Sequence, residues 1–66
     1  MAKNYKMKSA RALKGYSQQD LAQLCHVSRQ TIYAIEGGEY NPTINLCKSI
    51  CKVLGKSLDE LFGDDE

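Results

Sequence analysis

The sequence alternates between apolar segments with helical spacing and short polar breaks, and this pattern constrains the fold more than any other feature. Ser or Thr precedes each of the later segments and supplies a side-chain oxygen for the unpaired amides of a first helical turn. These hydroxyl residues are Ser17, Ser28, Thr43 and Ser57. Glycine follows most of the segments, at positions where it can close a helix without strain. The pattern predicts short helices joined by tight turns.

Five helices are expected, near residues 6–14, 18–25, 29–36, 44–54 and 58–62, and no segment has the alternation typical of a strand. Ser57 and Glu60 have the spacing of a capping box at the start of the last helix. The apolar faces suffice for one core, and their residues are Met7, Ala10, Leu13, Leu21, Ala22, Leu24, Ile32, Ile35, Leu46, Ile50, Leu54, Leu58, Leu61 and Phe62. We therefore predict an all-α fold with a single domain over residues 1–66 and its core at about 6–62.

Charge is distributed unevenly along the chain, although the net charge is only +1. Residues 1–36 carry six basic and two acidic side chains, whereas residues 37–66 carry three basic and six acidic ones. Nucleic-acid-binding domains are often strongly basic as a whole, so the small net charge by itself argues weakly against a nucleic-acid partner. The uneven distribution of charge is the stronger indicator. A polyanion is therefore expected to bind the N-terminal half.

The three cysteines, at positions 25, 47 and 51, form no C-x-x-C pair and follow no apolar leader, which predicts a cytoplasmic protein. A zinc site with His26 is disfavoured because structural zinc prefers close cysteine pairs, and a redox switch needs exposed thiols. Small buried side chains are the favoured interpretation. No segment approaches the ~20 apolar residues of a membrane span. We expect no metal, cofactor or small-molecule ligand, and no enzymatic activity.

The stretch from residue 17 to residue 36, SQQDLAQLCHVSRQTIYAIE, predicts two short helices around a tight turn, which is helix-turn-helix spacing. Ala22 is small where the two helices have to cross, and Ile32 and Ile35 face the core. Helical geometry then turns the side chains of the opposite face outward. That face presents Arg29, Gln30 and Tyr33.

Arg29 and Gln30 are side chains of the types that read base pairs in the major groove. Arginine donates two parallel hydrogen bonds to guanine, and glutamine pairs in the same two-pronged way with adenine. The first turn of the second helix is where such contacts are made, so we predict base reading there, with an ordinary solvated face as the alternative. Contacts with DNA phosphates are expected from Gln18, Ser28, Thr31, Gly38, Tyr40 and Asn41.

The sequence resembles the XRE-type family of DNA-binding domains, which includes Cro and the lambdoid phage repressors. The motifs that carry the resemblance are SQxxLA at 17–22, SRQTI at 28–32, IExG at 35–38, NPTI at 41–44 and SLDELF at 57–62. The resemblance implies a lambda-repressor-like fold, binding of double-stranded DNA, homodimers on palindromic operators and repression of transcription. It also implies a salt bridge between Arg11 of the first helix and Glu36.

The sequence departs from the family pattern at two positions. His26 occupies a turn position that is often glycine because the backbone takes a positive φ there, a conformation that histidine tolerates. Ala34 stands where some relatives carry a long polar side chain that reads a base. Tyr33 is the residue expected to take over part of that task, and the third base contact stays open.

An apolar surface near the end of the chain is expected to form the homodimer interface, because this segment has more apolar side chains than so small a core requires. The residues assigned to it are Ile44, Leu58, Leu61 and Phe62. The alternative function is a protein-binding helical module, such as an antitoxin-like or anti-repressor partner. Such a module would associate with its partner with little dependence on salt, whereas DNA binding weakens steeply as salt rises.

Overall fold

The computed structural model describes residues 3–63, and within that range the chain forms five α-helices. They are α1 (Tyr5–Leu13), α2 (Gln18–Leu24), α3 (Arg29–Glu36), α4 (Ile44–Leu54) and α5 (Leu58–Phe62). The all-α prediction is confirmed, and the predicted bounds differ by one residue at both ends of α1 and at the C-terminal end of α2. None of the described helices is both long enough and apolar enough to cross a membrane.

Side-chain caps fix where the helices begin. All four hydroxyl residues accept a hydrogen bond from the amide three residues later, namely Ser17, Ser28, Thr43 and Ser57. The predicted capping box is present, because the amide of Ser57 donates to Glu60 at 2.8 Å. This hydrogen bond lowers the pKa of the Glu60 carboxyl below its usual value. Asn4 caps α1 by accepting from the amide of Met7 at 3.0 Å, so this helix begins one residue earlier than predicted.

Every helix contributes to one core. The largest fully buried side chains are Met7, Leu21, Ile32, Ile50, Leu54 and Leu61. Burial of an aliphatic side chain of this size stabilises a fold by about 1.5–3 kcal/mol, so a chain this short depends on each of them. The α2 and α3 helices pack against each other, and Ala22, the small residue predicted for their crossing, is buried.

Three residues that the sequence placed in the core lie at the surface instead, namely Leu13, Leu24 and Leu58. Leu13, the last residue of α1, is 82% exposed and lies about 120° around the helix from Met7 and about 60° from Ala10, beyond the edge of the buried face. Leu24 is 48% exposed. The buried position one turn after Leu21 is taken by Cys25, so the smaller side chain fills the core and the larger one does not.

All three thiols are buried, as the favoured interpretation predicted. Burial raises the pKa of Cys25, Cys47 and Cys51, which disfavours the reactive thiolate. Among residues 3–63, no group of three or more potential ligands has the arrangement to hold a metal ion. The cysteines therefore act as small apolar side chains in this fold.

The turn between α2 and α3 contains a left-handed residue. His26 has a φ of 60°, and it is the one residue other than glycine with positive φ in the described part of the chain. The backbone conformation inferred from the family pattern is therefore confirmed. The tight turn is closed by the amide of Val27, which donates to the carbonyl of Ala22 at 3.0 Å.

Replacing His26 with glycine is expected to raise the free energy of unfolding by about 1 kcal/mol. The left-handed conformation costs an L-residue about 1–2 kcal/mol, and it costs glycine less. In a domain of this size the melting temperature would rise by about 4–8 °C. Thermal unfolding followed by circular dichroism measures the change. The matched control is His26→Ala, which keeps the Cβ and gives no such gain. A glycine variant that melts at or below the wild-type temperature would show that the turn is not strained.

Candidate nucleic-acid interface

The α3 helix has one buried and one solvated face. Ile32 and Ile35 are buried against the other helices, whereas Arg29 and Gln30 are exposed in the first turn. Tyr33 is also exposed, one turn further along. The structure thus directs the two polar side chains into solvent, where a partner can reach them, and not into the protein.

A buried carboxylate holds the end of α3 to the rest of the domain. Arg11 donates from Nε to Glu36 Oε2 at 2.7 Å and from Nη2 to Oε1 at 3.2 Å, so the salt bridge implied by the resemblance is present. The remaining Arg11 nitrogen, Nη1, donates to the carbonyl of Tyr16 at 2.9 Å. These bonds join α1, α3 and the loop after α1 at one point, which fixes the orientation of the exposed face of α3.

Gln18 is also part of this cluster, which the sequence did not indicate. Its Nε2 donates to Glu36 Oε1 at 3.1 Å, so the α2 helix is tied to the same carboxylate. The predicted role of Gln18 as a phosphate ligand therefore has to coexist with this bond. The side-chain carbonyl oxygen of Gln18 accepts hydrogen bonds and cannot donate one to phosphate. In the side chain, the second hydrogen of the amide is the one that remains for a ligand.

The other residues predicted to contact phosphates lie around α3. Ser28 accepts from the amide of Thr31, and the two hydroxyls are 3.0 Å apart. Tyr40 and Asn41 are exposed in the segment that follows α3. Gly38 does not fit its predicted role: its amide donates to the carbonyl of Ile35 at 3.1 Å, so it is already used in closing the helix and is not directed at a ligand.

A groove of about 360 Å³ runs between the beginning of α1 and the end of α3. We call it the basic groove, and it is lined by Lys3, Tyr5, Lys8, Gln18, Tyr33, Glu36, Gly37 and Glu39. Lys3, Tyr5 and Lys8, from the N-terminal segment and α1, are among the lining residues that were not assigned to the site from the sequence. The excess of basic residues in the first half of the chain was the one signal that pointed to the two lysines.

The expected dimer surface is only partly exposed. Ile44 is 64% exposed and Leu58 is 39% exposed. Leu61 is 2% exposed, so its assignment to an interface was wrong: it lies on the face of α5 that packs into the core. Phe62 is partly buried against the same core. The exposed side chains of this surface are those of Ile44 and Leu58.

The comparison with known families agrees with this geometry. A family profile described as helix-turn-helix matches residues 7–61. The chain belongs to this helix-turn-helix family. The resemblance to XRE-type domains is thereby confirmed. The match covers all five helices except the first two residues of α1 and the last residue of α5.

Relatives of this helix-turn-helix chain occur in archaea and bacteria. An HTH-type transcriptional regulator of Methanocaldococcus jannaschii is 46% identical over 63 residues, covering 92% of this chain and 96% of that protein. YgzD of Bacillus subtilis, also named an HTH-type transcriptional regulator, is 41% identical over 61 residues, covering 92% of both chains. The crystal structure of the restriction-modification controller protein C.AhdI of Aeromonas hydrophila superposes with a TM-score of 0.82 at 27% identity, covering 89% of both chains.

Proposed function

We propose that this helix-turn-helix domain is a transcriptional regulator that reads the major groove of double-stranded DNA with α3. One observation carries the proposal: Arg29 and Gln30 are exposed in the first turn of α3, whereas Ile32 and Ile35 of the same helix are buried. This turn enters the groove in helix-turn-helix complexes. Arginine and glutamine there can form two-pronged hydrogen bonds with guanine and adenine.

Rigid support of α3 is the second element of the proposal. A two-pronged contact discriminates between bases by about 1–3 kcal/mol, but only where the side chain is presented in a fixed position. The buried isoleucines hold the middle of α3, and the bonds of Arg11 and Gln18 to Glu36 hold its end. Ser28 and Thr31 at the start of the helix, with Gln18, Tyr40 and Asn41, are proposed to bind the flanking phosphates.

The finer function that we propose is repression by a homodimer on a palindromic operator, in the cytoplasm and without a cofactor. A two-fold dimer places two α3 helices on half-sites about 34 Å apart, one turn of DNA. Ile44 and Leu58 support the dimer because they are the exposed apolar side chains at the starts of α4 and α5. The names of the relatives, which call them transcriptional regulators, support regulation.

Replacing Arg29 with alanine is expected to weaken operator binding by about 1–3 kcal/mol and to relax the preference at one base pair in each half-site. Binding to a scrambled duplex should weaken less, because only the phosphate contacts act there. Fluorescence anisotropy with both duplexes measures the two affinities. The matched control is Lys52→Ala, which removes the same charge from an exposed position on α4.

A base-reading role for Arg29 predicts a smaller operator-to-scrambled affinity ratio in Arg29→Ala and an unchanged ratio in the control. Equal ratios in wild type and Arg29→Ala would contradict the role. Association with a protein partner that is insensitive to salt, together with no measurable binding to duplex DNA, would favour the protein-binding module instead.

A further inference from the structure

We propose that the basic groove holds the sugar-phosphate backbone of the bound duplex, and that Tyr33 is a phosphate ligand there and not a base reader. The inference rests on the proposed DNA-binding function and adds a contact region formed by the N-terminal segment and α1. It also reverses the role that the sequence assigned to Tyr33.

The position of Tyr33 is the first observation. It follows Arg29 by four residues and so lies one helical turn beyond the proposed base readers. Tyr33 is 64% exposed and lines the basic groove together with Lys3, Tyr5 and Lys8, and these three come from the N-terminal segment and α1. Tyr33 thus marks the edge of α3 that faces α1, where the contact surface continues onto a second element of the fold.

A backbone hydrogen bond fixes the opposite wall of the basic groove. The amide of Asn4 donates to the carbonyl of Glu36 at 2.9 Å, which ties the segment before α1 to the last residue of α3. Asn4 then caps α1 through its side chain. Lys3 and Tyr5 stand on either side of this anchored residue, so the wall is part of the folded domain before any ligand binds.

The charges of the basic groove favour an anion. Neither Lys3 nor Lys8 forms an ion pair within residues 3–63, and both are exposed. The carboxylate of Glu36 is already paired with Arg11, so it adds little negative field. Glu39, which is exposed at the rim, is the acidic group that remains to oppose an anion.

The chemistry of the groove fits a phosphodiester better than a base edge. Phosphate oxygens accept hydrogen bonds from ammonium and hydroxyl groups at many angles, and lysine binds phosphate as a point charge. A tyrosine hydroxyl is a single donor, whereas base discrimination relies chiefly on two-pronged side chains. The groove also adjoins the exposed face of α3, as a backbone strand must when α3 occupies the major groove.

Salt titrations of three groove variants test the proposal, with an operator and a scrambled duplex as probes. Lys8→Ala should reduce the slope of log K against log salt by about 1 on both duplexes. Tyr33→Phe should weaken both by about fivefold, the effect of one hydrogen bond, and keep the base preference. Glu39→Gln should strengthen binding to both. Lys52→Ala, with the same charge change outside the groove, should leave the slope nearly unchanged.

Two results would overturn the assignment: a relaxed preference at a particular base pair in Tyr33→Phe, or equal slope changes in Lys8→Ala and Lys52→Ala. Arg29→Ala in the same titrations separates this failure from that of the function itself. If Arg29→Ala relaxes the base preference but Lys8→Ala keeps the full slope, only the groove assignment fails. If wild-type protein shows no salt-dependent binding to either duplex, both proposals fail.

Discussion

Replacing Arg11 with alanine is expected to lower the free energy of unfolding by about 3–5 kcal/mol, because it leaves a buried carboxylate without its counter-charge. The side chain of Glu36 is 5% exposed, and after the substitution one hydrogen bond from Gln18 would remain to it. The bond from Arg11 to the Tyr16 carbonyl is lost as well. A domain of this size is stable by about 3–10 kcal/mol in total, so much of the variant should be unfolded at physiological temperature. Urea denaturation followed by circular dichroism measures the loss.

Two further variants separate the buried pair from a general charge effect. Lys8→Ala removes a positive charge from an exposed position on the same helix and should change stability by less than about 0.5 kcal/mol. Replacing both Arg11 and Glu36 with methionine removes the unpaired charge and should recover much of the lost stability. An Arg11→Ala variant that melts with the wild type would refute the structural role of the pair.

Replacing Leu61 with alanine is expected to lower the free energy of unfolding by about 2–5 kcal/mol, because the side chain is fully buried and its removal leaves a cavity. The α5 helix has five residues, and Leu61 is the one that is buried, so this residue anchors the helix. Urea denaturation of both proteins at the same concentration measures the effect, since dimerisation makes the apparent stability depend on concentration.

Ile44→Glu is the matched comparison for the dimer surface. Ile44 is exposed and opens α4, where a negative side chain is compatible with the helix dipole, so folding should be little affected. Sedimentation velocity should show this variant as a monomer at concentrations at which the wild type is a dimer. A wild-type protein that stays monomeric at high micromolar concentration would contradict the proposed homodimer, and a Leu61→Ala variant with wild-type stability would contradict its place in the core.

The positions of the helices could be predicted because the interactions that define them are local. A hydroxyl residue and the amide three residues later lie close together in the chain. Ser17, Ser28 and Ser57 therefore indicate where helices begin from the sequence alone. The same holds for the outward direction of Arg29 and Gln30, since it follows from the positions of Ile32 and Ile35 on one helix.

The remaining features depend on contacts between distant parts of the chain, which periodicity does not specify. An apolar pattern places both Leu61 and Ile44 on helices. It does not show that α5 packs against α1 and α4 with Leu61 buried, or that Ile44 stays exposed. The bond from Gln18 to Glu36 spans 18 residues, and the basic groove depends on the hydrogen bond between Asn4 and Glu36. The pairing of Arg11 with Glu36 was found only through the resemblance to known domains.

Selection from randomised duplex DNA, carried out at two salt concentrations, tests the central claim most directly. If Arg29 and Gln30 read bases, the wild type should enrich one palindromic sequence whose half-sites are centred about 34 Å apart, with guanine and adenine among the preferred bases. Less DNA should be retained at the higher salt concentration. No enriched sequence, or the same sequence enriched by a variant with alanine at both positions, would contradict the claim.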